Sequence, residues 1–226
     1  MQSQLNKNSD LKMLNNKDLK SSNKEHRKMK INIPPNLNYE EIKSFNEIVK
    51  PQLEELYSYD YDKFEFGIVK IFISKDEFPK DTKRPNFEEI KNILSKIPEK
   101  HLKFISEIYF VSHHCRDDTD KEIKGRTLPI IYKIIIYPKS QNKLKSILTH
   151  EIGHVFYDIG LTFNQKAKFI FIAYRAYPKA QTFALEEKQK YIQEFFSIVY
   201  DDYVDEQKYV NRNQLLIKFL KELWKD

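Results

Sequence analysis

The sequence predicts an α+β fold on three observations. β-Branched, alternating segments are confined to the chain before Tyr137, helical spacing of apolar residues dominates after it, and no repeat period is visible. With 226 residues, 40% hydrophobic and 14% aromatic, the chain can bury one good core or two small ones, so disorder along its whole length is excluded.

Taken in order, residues 1–30 are rich in Lys, Asn and Ser with sparse Leu and Met, and bury too little apolar area to offset chain entropy. They read as a mobile tail ending near Pro34-Pro35. Residues 31–226 then form one domain, with a β-rich part over 31–139 and a helical part over 140–226. From Tyr39 to Tyr57 the residues Ile42, Phe45, Ile48, Val49, Leu53 and Leu56 follow helical spacing, with a kink or restart at Pro51. Phe64 to Ile73 alternates and predicts a strand. Asn86 is placed to cap a helix that runs to about Ile97 and stops before Pro98.

Two more strands are expected, Phe104 to Ser112 and Leu128 to Tyr137, separated by the charged loop R-D-D-T-D-K-E-I-K-G. The second is almost wholly apolar, which predicts cover on both faces. Helical patterns then run from Ser140 to Ile159, Gln165 to about Tyr174, Leu185 to about Glu206, and Gln214 to Trp224.

Composition removes several function classes. Only four glycines occur, Gly67, Gly125, Gly153 and Gly160, and no G-x-G-x-x-G or Walker string can be written from them, so dinucleotide- and phosphate-cradling loops are excluded. The net charge is +6, but residues 1–30 carry eight basic and three acidic side chains, leaving the remainder nearly neutral. The basic residues are 33 Lys against 6 Arg, whereas base readout and stacking favour Arg; the sequence therefore argues against nucleic acid as the partner. One cysteine, Cys115, excludes an intrachain disulfide framework. No apolar run reaches the ~18–20 residues of a membrane span, and no secretion signal is visible, so a cytoplasmic protein is expected. Nothing in the sequence speaks to oligomeric state.

The informative string is I-L-T-H-E-I-G-H-V-F, residues 147–156. His150 and His154, four apart on a helix, project from one face and can hold a single zinc ion. Glu151 sits ~100° round that helix, beside the ion, where a carboxylate can take a proton from water at the metal. Random placement of the chain's 6 His and 19 Glu yields H-E-x-x-H with an expected count of roughly 0.01. Leu144, Leu148, Ile152, Val155 and Ile159 form a separate core stripe, so one side of the helix packs while the other faces a cleft. Gly153 leaves room for another backbone to approach, and Gly160 is placed to end the helix in the left-handed conformation.

A catalytic zinc site usually has three protein ligands, and no histidine follows His154. A downstream carboxylate must serve. Glu194 is the best candidate because it adjoins the core stripe Ile192, Phe195, Phe196, Val199 and Tyr203; Asp201, Asp202 and Glu187 are held in reserve. Asp158, four residues beyond His154 and ~40° further round the helix, either orients a ligand, lies in the cleft, or is simply solvated. His113-His114-Cys115 reads as a strand end or loop, because adjacent strand residues point to opposite faces.

H-E-I-G-H followed 40 residues later by Glu-Phe-Phe, Glu194 to Phe196, resembles the glutamate-ligand zincins, particularly the catalytic domains of anthrax-lethal-factor-like and Pro-Pro endopeptidases. The resemblance covers about residues 140–205. It implies His150, His154 and Glu194 as zinc ligands, Glu151 as general base, and a small mixed sheet packed on the active-site helix with the ligand-bearing helix behind. The family's transition-state-stabilising tyrosine, seven residues before the ligand glutamate, is replaced here by Glu187; Tyr191, Tyr177 and Tyr174 lie nearby, and Asp201 is a further candidate for supporting the site.

The expected function is a zinc-dependent endopeptidase acting on a peptide or protein, with substrate laid along the strand Leu128 to Tyr137 by backbone pairing. The alternatives are a non-catalytic zinc-stabilised binding module and a peptidase held latent by its own tail or a loop.

Overall fold

The computed structural model describes residue 31 and residues 34–116, 121–137, 143–176, 178–205 and 213–225; the expected tail lies outside them. Among the described residues there are seven strands: β1 (Tyr61–Phe66), β2 (Val69–Ser74), β3 (Glu107–Phe110), β4 (Cys115–Arg116), β5 (Glu122–Ile123), β6 (Gly125–Leu128) and β7 (Lys133–Ile136). Five of them form one mixed sheet in the order β1-β2-β3-β7-β6, in which β2, β3 and β7 run parallel and the edge strands β1 and β6 run antiparallel to their neighbours. β4 and β5 make a separate two-stranded pair.

Period-two burial explains why the central strands read as unbroken apolar runs. Ile71 and Ile73, Ile108 and Phe110, Ile134 and Ile136 face one core, while Phe72, Tyr109 and Ile135 face the other. The second core is roofed by the π-helical turn Phe45–Val49, which follows α1 (Tyr39–Ser44), and by α2 (Lys50–Leu56), through Phe45, Val49, Leu53 and Leu56. The first is covered by α3 (Phe87–Leu94), α4 (Glu99–Leu102), α5 (Leu144–Val155), α6 (Phe163–Ala176), α7 (Leu185–Val204) and α8 (Gln214–Trp224). Each such fully buried side chain contributes about 1.5–3 kcal/mol relative to exposure. Among the described residues, no helix is long and apolar enough to cross a membrane.

Mixed helix and sheet was expected, but two expected strands prove to be turns with strands on either side. Phe64 to Ile73 spans the β1–β2 hairpin, closed at Gly67, whose φ of +57° only glycine adopts at no cost. Leu128 to Tyr137 likewise straddles the turn between β6 and β7, where Ile130 and Tyr132 hold positive φ. Alternation alone cannot distinguish one strand from two joined by a tight turn. The helices expected over Tyr39–Tyr57 and from Asn86 to about Ile97 interleave with the strands of the first half, and among the described residues no strand follows β7.

At Pro51 the anticipated kink becomes the π turn ahead of it, where the Lys50 N–H donates to the Phe45 carbonyl. Asn86 does cap α3, accepting from the Glu89 N–H at 2.8 Å. Gly160 does not adopt the left-handed conformation. It lies in a second π turn, Phe156–Gly160, and a Cβ there would collide with the Phe156 ring.

Candidate metal centre and cleft

α5 carries the site and is wedged between the sheet and α7. Leu148, Ile152 and Val155 are completely buried, which fixes the helix rotation and turns His150 and His154 to its open side. Gly153 permits the closest approach to α7: a Cβ there would stand 2.9 Å from Ser197 Cα. That contact brings Glu194, one turn earlier on α7, over the two histidines.

The donor atoms converge. His150 Nε2 and His154 Nε2 are 3.1 Å apart, His150 Nε2 is 3.5 Å from Glu194 Oε2, and His154 Nε2 is 3.6 Å from Glu194 Oε1. Zinc bonds of about 2.0–2.1 Å at tetrahedral angles put neighbouring donors roughly 3.3 Å apart, so the donor set and spacing fit that ion. Among the described residues this is the one group of three or more such side chains that could hold a metal.

The charges already lean toward cation binding. Burial pulls His150 down, but its hydrogen bond to Glu194 and the charges of Glu151, Glu194 and Asp201 outweigh this and raise it. His154 is lowered to about 4 by burial and by the His150 charge. Glu194 is lowered by its hydrogen bond to His150, against a smaller opposing effect of burial.

Glu151 is buried between α5 and β6, and burial raises its carboxyl to about 7 against the opposing pull of His150, Thr127 and Arg126. The Thr127 hydroxyl donates to Glu151 Oε2 at 3.0 Å and lies 3.3 Å from the Glu151 carbonyl oxygen. Gly125 and Thr127 lie opposite Ile136 and Ile134 in the β6–β7 register, on the α5 face, and a Cβ at Gly125 would sit 2.6 Å from Glu151 Oε1. These two β6 residues were missed at the sequence level. A scarce glycine two residues before a threonine, at the start of an apolar run, was the available signal.

The other candidates fall in different places. Asp158 lines the cleft, where its carboxylate accepts from Gln193 Nε2 at 3.0 Å, and burial raises it despite Lys166 and Gln193. Asp201 is buried behind α5, accepting from Ser146 Oγ at 2.6 Å and from Thr149 Oγ1; it pins the helix rather than joining the donors. Asp202 is half-buried beside it, and Glu187 is exposed in the first turn of α7. The Tyr191 ring stacks on Phe195 and meets Phe183 edge-on. Neither Tyr191 nor Tyr174 is among the described residues lining the cleft, and Tyr177 lies outside the described residues.

His113 and His114 diverge, as adjacent residues should. His113 Nε2 is 3.1 Å from Glu55 Oε1 and its ring stacks on Tyr59, while His114 Nδ1 is 3.0 Å from Glu122 Oε1.

The strand expected to receive substrate is ruled out by topology. β7 pairs with β3 on one side and β6 on the other, so its ladder is filled. Among the described residues no strand pairs with the outer edge of β6, and β6 borders the cleft through Gly125, Arg126 and Thr127. The cleft measures about 800 Å³ and is lined by His150, Glu151, His154 and Glu194.

No protein-family model matches the chain, and no curated protein matches it.

Proposed function

We propose that the chain is a zinc-dependent endopeptidase of zincin type, in which His150, His154 and Glu194 hold one zinc ion and Glu151 acts as general base. One observation supports it above the rest. Two imidazole nitrogens and a carboxylate stand at tetrahedral-edge spacing, beside a buried second carboxylate, in one open cleft. The mixed sheet packed on α5, with α7 behind it, supports the reading, since the resemblance of the H-E-I-G-H and Glu-Phe-Phe motifs implies a small mixed sheet on the active-site helix and the ligand-bearing helix behind.

Zinc held there would supply Lewis acidity toward a peptide carbonyl and an attacking water. Glu151 takes the proton from that water and returns it to the leaving amine. Thr127 holds one oxygen of Glu151, and Gly125 leaves the carboxylate space against β6. The open edge of β6 offers backbone donors and acceptors to an extended peptide, which supplies affinity without reading side chains. Asp201, through Ser146 and Thr149, holds α5 in the rotation that presents both histidines.

A non-catalytic zinc-stabilised module would call for a closed site of four protein ligands. The donor group has three members among the described residues and borders a cleft, which favours catalysis.

The test is hydrolysis of a diverse peptide library by the zinc-loaded full chain, with Glu151→Gln alongside. Cleavage that the substitution abolishes is expected; cleavage that persists unchanged overturns the mechanism. Cleavage appearing only after removal of residues 1–30 would identify a latent enzyme.

A further inference from the structure

Among the described residues four carboxylates line the cleft, Glu122, Glu151, Asp158 and Glu194. Three are engaged by other groups of the site or its rim: Glu122 meets His114, Glu151 accepts from Thr127 and Glu194 faces the two histidines. Asp158 is held by one neutral donor, Gln193 Nε2, 3.0 Å from its Oδ1. An ionised carboxylate offers about four acceptor positions on its two oxygens, so most of its capacity is left to whatever occupies the cleft. Lys166 is engaged on the main chain instead: its Nζ donates to the Asp158 carbonyl oxygen at 2.7 Å and stands 5.4 Å from the centre of the Tyr157 ring.

The backbone fixes where this carboxylate stands. α5 does not stop after His154 but runs into the π turn Phe156–Gly160, closed by the Leu161 N–H on the Phe156 carbonyl at 3.0 Å. Phe156 and Tyr157 are buried there, while Asp158 stays half-buried on the cleft wall; such turns are rare and recur at functional sites. Gln193 precedes Glu194 on α7, so the two helices that carry the metal donors also hold Asp158. Four residues of helix separate Asp158 from His154, about 6 Å of rise, and an extended peptide advances about 3.3 Å per residue. A substrate group held by Asp158 therefore lies about two residues from the cleaved bond.

We propose that Asp158 determines specificity by receiving a cationic nitrogen group of the substrate, on one side of the cleaved bond only. The inference rests on the peptidase reading and names the substrate class for it. The cation can come from a Lys or Arg side chain or from a free α-amino group, and both sources share one recognition chemistry, a charge-assisted hydrogen bond to the free oxygen of Asp158.

The experiment uses the zinc-loaded full chain and short fluorescence-quenched peptides that differ only in carrying Lys, Gln or Glu near the scissile position, on one side or the other. Each is made with a free and an acetylated N-terminus. The expected result is a kcat/KM at least about tenfold higher for Lys than for Gln peptides, on one side only, falling as salt shortens the Debye length from ~10 Å at 0.1 M to ~3 Å at 1 M. A preference that survives acetylation assigns it to side chains; one lost on acetylation assigns it to the chain end. Asp158→Asn keeps an acceptor for Gln193 and removes the charge, and should abolish the Lys-to-Gln preference. Glu88→Gln, which removes one negative charge at an exposed position on α3, should leave that ratio as it is.

Equal cleavage of Lys, Gln and Glu peptides by the parent chain, or a Lys preference that Asp158→Asn leaves unchanged, would overturn the inference while leaving the peptidase reading intact. Fluorescence anisotropy of the same peptides with the zinc-loaded Glu151→Gln chain separates the opposite case. Selective binding of Lys peptides, lost when Asp158→Asn is added, with no cleavage by the active chain supports the cation subsite and overturns the peptidase reading, whereas unselective binding overturns the inference by itself.

Discussion

Gly125 and Glu151 share a space that only one side chain can fill: a Cβ on Gly125 would stand 2.6 Å from Glu151 Oε1 and 2.8 Å from its Cγ. Gly125→Ala should displace the Glu151 carboxylate from the position that Thr127 holds. Because a misplacement of about 1 Å costs on the order of a hundredfold in rate, kcat for peptide hydrolysis should fall by about that factor. Zinc content, measured by atomic emission, should stay near one per chain. A variant as active as the parent would show that Glu151 tolerates another position.

Thr127→Val removes the hydroxyl donor to Glu151 while keeping the side chain's shape. A hydrogen bond to a charged group is worth about 1.5–3 kcal/mol, so kcat should drop roughly tenfold or more, and Thr127→Ser should recover most of it. Equal losses in the two variants would point to packing at β6 instead.

Legibility in the sequence follows how local each signal is. His150, Glu151 and His154 stand within one turn of one helix, so spacing alone put them together, and Glu194 was reachable because α7 carries a clear apolar stripe. Gly125 and Thr127 gain their meaning from the β6–α5 contact, a tertiary relation with no periodic signature. The β6–β7 turn was hidden because Pro129, Ile130 and Ile131 continue the apolar run that flanks them. Gly153 and Gly160 were noticed for their scarcity. Gly153 does answer to a neighbouring helix, whereas Gly160 answers to the Phe156 ring and not to backbone handedness.

Glu194→Ala and Asp201→Ala separate metal binding from support. Loss of Glu194 removes one of three donors and should weaken zinc retention against a chelator by several orders of magnitude, with little loss of apo-protein stability. Asp201→Ala leaves the Ser146 hydroxyl without its acceptor behind α5, and the Thr149 hydroxyl with the Lys145 and Ser146 carbonyls alone. It should cost about 1–3 kcal/mol in urea unfolding and weaken zinc retention far less. The reverse order would move the third ligand to Asp201.

Gly153→Ala tests the α5–α7 approach. The added Cβ would meet Ser197 Cα at 2.9 Å, a backbone contact that no rotamer change relieves. Overpacking of this kind costs about 1–3 kcal/mol, and because Glu194 follows α7, zinc affinity should fall together with the melting temperature. Unchanged zinc affinity in a destabilised variant would mean that the two helices separate without moving the donors.

His101 links acidity to stability at a distance from the metal site. Its ring is fully buried, stacked on Phe156 and edge-on to Trp224. Nε2 donates to the Leu223 carbonyl at 3.2 Å, so Nδ1 accepts from the Tyr200 hydroxyl at 3.0 Å. This neutral tautomer ties α4 to α7 and α8. Burial lowers the folded-state value to about 4, despite the favourable Leu223 carbonyl, whereas the unfolded chain titrates near 6.5. Between those values the unfolded state binds more protons, so unfolding free energy rises with pH there and falls as pH drops from about 6.5 toward 4. The loss across that window is on the order of 3 kcal/mol. Urea midpoints of parent and His101→Gln should therefore differ most near neutrality and converge toward pH 4. Parallel profiles would mean that His101 titrates alike in the folded and the unfolded chain, so that burial does not hold the ring neutral.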